Sequence, residues 1–117
     1  KKGIGGLKKL IALKKNNFST ALMIDQRVSE GILSNFFHQK ALTTTLPAQL
    51  AKKFNIPIVP VHIERTDDLN FKISISEPIN FSKETSIVNI TDHLNQILED
   101  MILKQPEQWI WSHNRWK

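Results

Sequence analysis

Asp25, Gln26 and Arg27 stand together directly after the apolar run 19–24, STALMI. A carboxylate, an amide and a guanidinium at the carboxyl end of a strand occupy the place where open α/β sheets hold their ligands. Arg27 suits a phosphate or a carboxylate, because its planar fork can bond either twice. The plain alternative is a set of loop residues bonded to backbone. Thr43, Thr44 and Thr45 follow, where a helix is predicted to begin. Hydroxyls and free N–H groups there can hold an anion such as phosphate, or can cap the helix in the ordinary way. The last dozen residues, PEQWIWSHNRWK, hold all three tryptophans, Trp109, Trp111 and Trp116, beside His113, Arg115 and Lys117. Buried aromatic area drives ordering, so this tail is expected to dock on the protein's own core, a membrane surface or a ligand.

Other chemistries find little footing. The chain has no cysteine, which removes disulfides, thiol nucleophiles and Cys-based metal sites. His38, His93 and His113 are too scattered for a zinc site, and no metal is expected. Gly3, Gly5 and Gly6 have no strand before them and no Lys-Ser/Thr pair after them, so they make no phosphate loop.

The elements that must position these residues read as α/β. Residues 19–24 form a strand candidate, and 25–41 a long connection with Gly31 and the pair Phe36–Phe37. Residues 42–55 read as a helix opened by the threonines, with Pro47 in its first turn and a stripe of Leu46, Leu50 and Phe54. Residues 56–64, IPIVPVHIE, are apolar on both faces, as in a central strand covered on both sides, although Pro57 and Pro60 remove ladder donors. Residues 69–76 alternate, with Phe71, Ile73 and Ile75 inward and Lys72, Ser74 and Ser76 outward. An antiparallel hairpin with 56–64 is therefore predicted. The strongest periodicity lies in 86–104, where Ile87, Ile90, Leu94, Ile97, Leu98, Met101 and Ile102 line one helix face. Strand 19–24, helix 43–55 and strand 56–64 are predicted to form a right-handed βαβ unit, within a mixed, mostly parallel sheet flanked by helices. A helical 106–116 would put Trp109, His113 and Trp116 on one face. Trp109 is expected to be mostly buried, with His113 and Arg115 facing residues 25–27. Arg115→Ala is then expected to lower activity and leave the fold intact.

At 117 residues the chain makes one domain, and its 40% apolar and 23% charged residues are ordinary for a globular protein. No apolar run approaches the ~20 residues that span a bilayer. The net charge of +5 is loaded at the front: Lys1, Lys2, Lys8, Lys9, Lys14 and Lys15 precede the first acid, Asp25. With Ile4, Leu7, Leu10, Ile11 and Leu13 between them, residues 6–16 read as an amphipathic helix with a lysine-rich back. Its cationic side is either a solvated face or a surface for an acidic protein or anionic lipid, the latter worth roughly 1 kcal/mol per Lys. Nucleic acid is not indicated, since no aromatic interleaves these lysines and no binding motif appears.

The series ALMIDQRVSEGI…NFF, ALTTTLPAQLAKKFN, IPIVPVHIER and the closing PEQWIWSHNRWK resembles the C-terminal half of the lipid A biosynthesis lauroyl/myristoyl acyltransferases, within the lysophospholipid acyltransferase superfamily. The resemblance covers essentially the whole chain. It implies that residues 1–117 are the C-terminal part of a single acyltransferase domain with a glycerolipid-acyltransferase-like fold, and that an N-terminal anchor and catalytic segment lie upstream. It implies a transferase of lipopolysaccharide biosynthesis that moves a fatty acyl chain from acyl carrier protein to a hydroxyl of a lipid A precursor. The carrier thioester is the donor and no other cofactor is called for. The implied location is the cytoplasmic face of the Gram-negative inner membrane, on its anionic surface. Asp25, Gln26, Arg27, Thr43, Thr44, His113 and Arg115 are the implied substrate-binding or supporting residues. A non-catalytic membrane-surface or carrier-protein binding module of the same fold is the other reading. The family's catalytic signature is H-x-x-x-x-D/E, a base and its orienting carboxylate. The one formal match here, His62 to Asp67, is rejected: five positions along a strand place the groups on opposite faces, ~16 Å apart. No catalytic residue is expected within these 117.

Overall fold

The computed structural model describes Ala12 and residues 18–117. Apart from Ala12, the lysine-rich segment 6–16 lies outside the described residues, as do Lys1, Lys2 and the three early glycines. Strand β1, Ile32–Phe36, and strand β2, Gln39–Thr43, pair antiparallel from Ile32↔Thr43 to Phe36↔Gln39. Phe37 and His38 make the turn with φ of 48° and 61°, the pattern of a type I′ hairpin turn. Histidine tolerates the left-handed region better than most residues, but phenylalanine does not favour it, and such a placement costs ~1–3 kcal/mol unless its surroundings hold it. They do hold Phe37. Its N–H donates to the Glu99 carboxylate at 2.8 Å, and its ring packs on Phe36 at 4.9 Å and Trp111 at 6.0 Å.

This hairpin replaces the predicted connection 25–41, and it corrects the mostly parallel sheet. Among the described residues 19–24 joins no strand, and both strand pairs are antiparallel. A two-residue turn can only join antiparallel neighbours, whereas a parallel pair needs a crossover. The architecture is still α/β: the elements described from residue 18 onward are two small antiparallel sheets and two α-helices. Gly31 marks the hairpin's entry. A Cβ there would lie 2.1 Å from the Thr43 carbonyl oxygen, so only glycine lets the two strands meet.

Helix α1, Leu46–Phe54, starts after Thr45 with Pro47 in its first turn and ends at Asn55 in the left-handed conformation. Helix α2, Ile87–Lys104, forms almost where its periodicity predicts. Ser86 caps it, accepting the Asn89 N–H at 3.0 Å. Two apolar clusters result. Ala48, Ile90 and Leu94 pack with Ile24, Ile58, Phe81, Ile87 and Ile97. Phe36, Ala41 and Ile102 pack with Phe37, Leu98, Trp109 and Trp116.

Strand β3, Val61–Arg65, and strand β4, Phe71–Ile75, form the predicted hairpin, from Val61↔Ile75 to Arg65↔Phe71. Its apolar side points the other way from the expectation: Ile63, Phe71, Ile73 and Ile75 are 59–73% exposed. The cause is upstream. Ile58 faces the core and bridges Ile79, and the period of two then turns 60, 62 and 64 inward and 61, 63 and 65 outward. On the inward side Lys72 bonds Glu64 at 3.0 Å and holds its carboxyl below the usual range.

The tail is not the predicted helix. Only Pro106–Gln108 forms a 3-10 turn, and the Gln108 side-chain amide bonds the Arg65 backbone, accepting at 2.8 Å and donating at 2.9 Å. The three indoles converge nonetheless. Trp109 lies 5.8 Å and Trp116 5.5 Å from the Phe36 ring, and Trp111 lies 4.6 Å from Trp109. The Trp116 indole N–H donates to the Phe36 carbonyl at 3.0 Å. Trp109 is for the most part buried, as expected, and packs on the Phe36 cluster.

Candidate functional site

The docked tail returns one polar side chain, His113, to the bend at 25–27. The Arg27 backbone N–H donates to His113 Nε2 at 3.3 Å. An accepting Nε2 requires a neutral imidazole with its proton on Nδ1. His113, Gln26 and the Arg27 guanidinium are exposed, and Asp25 is half-buried. Together they offer a cation, an amide and an imidazole to solvent, with a carboxylate behind them. Such a set can hold a phosphate or orient a polar head group.

Arg115 goes inward instead. It is 1% exposed. Its Nη1 donates to the Leu42 carbonyl at 2.6 Å and its Nη2 to Thr43 Oγ1 at 2.9 Å. The guanidinium also lies 5.4 Å from the centre of the Phe36 ring, a cation–π placement. Burial pushes its pKa below the usual range, while the charge of Asp25 acts the other way. Among the described residues no carboxylate forms an ion pair with it. Buried in this way, Arg115 presents no surface to a substrate. It also carries too much buried bonding for the expectation that Arg115→Ala spares the fold.

Thr43 is likewise not where the helix-cap reading puts it. It ends β2, 2% exposed. Its hydroxyl donates to the Ala41 carbonyl at 3.0 Å and accepts from Arg115 and, at 3.3 Å, from Asn95. One donor and two lone pairs are then all used, which leaves nothing for an anion. Thr44 Oγ1 accepts the Leu46 N–H at 3.3 Å, a local turn just ahead of α1, whose N-cap residue Thr45 makes no side-chain cap bond. Thr45 instead accepts from the Gln49 side chain at 2.8 Å.

Behind Thr43 the network continues through α2. The Asn95 amide nitrogen also meets Ser34 Oγ at 2.8 Å and the Asn35 carbonyl at 2.9 Å. Ser34 Oγ donates in turn to Asp92 Oδ1 at 2.5 Å. Ser34 and Asn95 are at most 1% exposed, and two buried atoms, Asn95 Oδ1 and Arg115 Nε, have no partner. Asn95, Ser34 and Asp92 carry no catalytic spacing in the sequence. A signal did exist on α2: Thr91 and Asn95 share the i, i+4, i+7, i+11 line with Leu98 and Ile102, so two polar residues sit on a buried face.

His62 and Asp67 do not form a dyad. The His62 ring sits in β3, with Nδ1 4.0 Å from Glu64. Asp67 lies in the following turn, bonded by the Asn70 amide at 3.4 Å. Two surface hollows lie at this end, against Asp67–Asn70 and against Ile63, Arg65, Phe71, Glu107 and Gln108, and touch none of the residues around Arg115. Among the described residues no three metal-ligating side chains come together, and no helix is long and apolar enough to cross a membrane. The family model described as bacterial lipid A biosynthesis acyltransferase matches residues 2–117. No curated protein matches the chain.

Proposed function

From the premise that the chain belongs to the bacterial lipid A biosynthesis acyltransferases, we propose that residues 25–27 and the docked tail form the substrate-side support of an acyl transfer. The reaction moves a fatty acyl chain from the thioester of acyl carrier protein to a hydroxyl of a lipid A precursor, at the cytoplasmic face of the inner membrane. Asp25, Gln26, Arg27 and His113 face the substrate, and Arg27 meets a phosphate of the precursor. Thr43 and Arg115 hold that face from inside, while Thr44 stays with the helix start. The observation that carries this reading is the contact between Arg27 N–H and His113 Nε2, which joins 86 residues of separation into one surface. An anionic membrane surface is the partner of the basic front segment. No acid–base pair is assigned within residues 1–117.

The full-length protein, incubated with an acyl carrier protein thioester and a lipid A precursor, is expected to give a product heavier by one acyl chain in mass spectrometry. Residues 1–117 by themselves are expected to give none, since without a base and its orienter the ~10²–10⁴ of acid–base catalysis is lost. A full-length protein that transfers nothing overturns the reading. Transfer by 1–117 alone overturns the exclusion of His62.

A further inference from the structure

Asn95 is fully buried on α2, and its amide faces two strands at once. Its orientation is forced. The Asn35 carbonyl can only accept, and the Thr43 proton is committed to the Ala41 carbonyl. Both need a donor, so the NH₂ end must face the hairpin and Oδ1 is left unpaired. An unpaired buried oxygen is a cost that an apolar residue of similar size would avoid. The Asn95 NH₂ has two hydrogens for three acceptors, so Thr43 Oγ1, the farthest at 3.3 Å, takes a shared hydrogen on one lone pair while its other lone pair takes Arg115. Helix α2 and the C-terminal tail therefore meet at a single oxygen atom.

We infer that Asn95 is a positioning residue: through Thr43 it sets the direction of the Arg115 guanidinium, and with it the tail that carries His113 to Arg27. The inference rests on reading the 25–27 side as substrate-facing. Arg115 has one other anchor in the hairpin, the Leu42 carbonyl. With that alone the guanidinium can pivot, and His113, two residues away, loses its fixed approach to the Arg27 N–H. The chain of contacts runs from the side chain of a helix, through one hydroxyl, to the exposed imidazole.

The test uses the full-length protein and Thr43→Val, which keeps the shape of the side chain and removes the shared oxygen. Turnover is expected to fall at least ~10-fold with KM for acyl carrier protein within ~2-fold, and Thr43→Ser is expected to restore it. Asn95→Ala on its own should lower turnover too. In the Thr43→Val background it should add no more than ~2-fold, because both act at one point. Independent, multiplying losses would overturn the inference. In ¹⁵N-arginine-labelled protein the Arg115 Nε–H resonance is expected to shift and exchange faster in Thr43→Val. A folded Thr43→Val with that resonance unchanged, or with wild-type turnover, overturns it as well. A wild type without acyl transfer would remove the functional reading, and the resonance would then decide the positioning by itself.

Discussion

Replacing Phe36 by alanine is expected to destabilise the domain by ~3–5 kcal/mol, the cost of removing a large aromatic group from a packed core. Phe36 is 0% exposed. Trp109, Trp116 and the Arg115 guanidinium all lie within 6 Å of its ring centre, at 5.8, 5.5 and 5.4 Å. Phe37 adds an edge contact at 4.9 Å. The ring thus closes the β1–β2 hairpin and seats the tail in the same act. Against a total stability of about 5–15 kcal/mol for a domain, such a loss is large. A urea titration followed by tryptophan fluorescence reads it directly, since all three tryptophans lie in the tail. A midpoint within ~0.5 kcal/mol of wild type would mean that the tail does not pack on Phe36.

Arg115→Ala is the second large effect. It leaves the part-buried Leu42 carbonyl without its donor, while Thr43 Oγ1 keeps Ala41 and Asn95. It also removes the cation over the Phe36 ring. A loss of about 1–3 kcal/mol in thermal or urea unfolding is expected from the unpaired carbonyl. His113→Ala is the control, because that side chain is exposed and its removal should leave the melt unchanged. Equal melting of Arg115→Ala and wild type would contradict the buried network.

The sequence made helix α2 and the β3–β4 hairpin legible because their apolar residues recur at the proper periods. It concealed β1–β2 for two local reasons. Two of the hairpin's inward positions are polar, Ser34 and Thr43, whereas Leu33 points outward at 66% exposure, so the alternation reads inverted. Its turn is Phe37–His38, without the glycine or asparagine that such a turn normally announces. The outward face of β3–β4 shows the complementary limit: alternation tells which residues share a face, and only the placement of Ile58 decides which way that face looks. The candidate site divides in the same manner. Asp25, Gln26, Arg27 and His113 were legible as chemistry-bearing types, and the structure brings His113 to Arg27. Arg115 and Thr43 were legible as polar residues but not as buried ones, because their burial depends on Asn95 and Phe36, which reach them from distant points of the chain.

The central claim is that the exposed side chains of Arg27 and His113 serve the acyl transfer rather than the fold. Its most direct measurement is turnover of the full-length protein carrying Arg27→Ala or His113→Ala, with an acyl carrier protein thioester as donor and a lipid A precursor as acceptor. Both variants are expected to melt with the wild type, and each to lose at least ~10-fold in turnover, about 1.4 kcal/mol of barrier. Folded variants that transfer at the wild-type rate would contradict the claim.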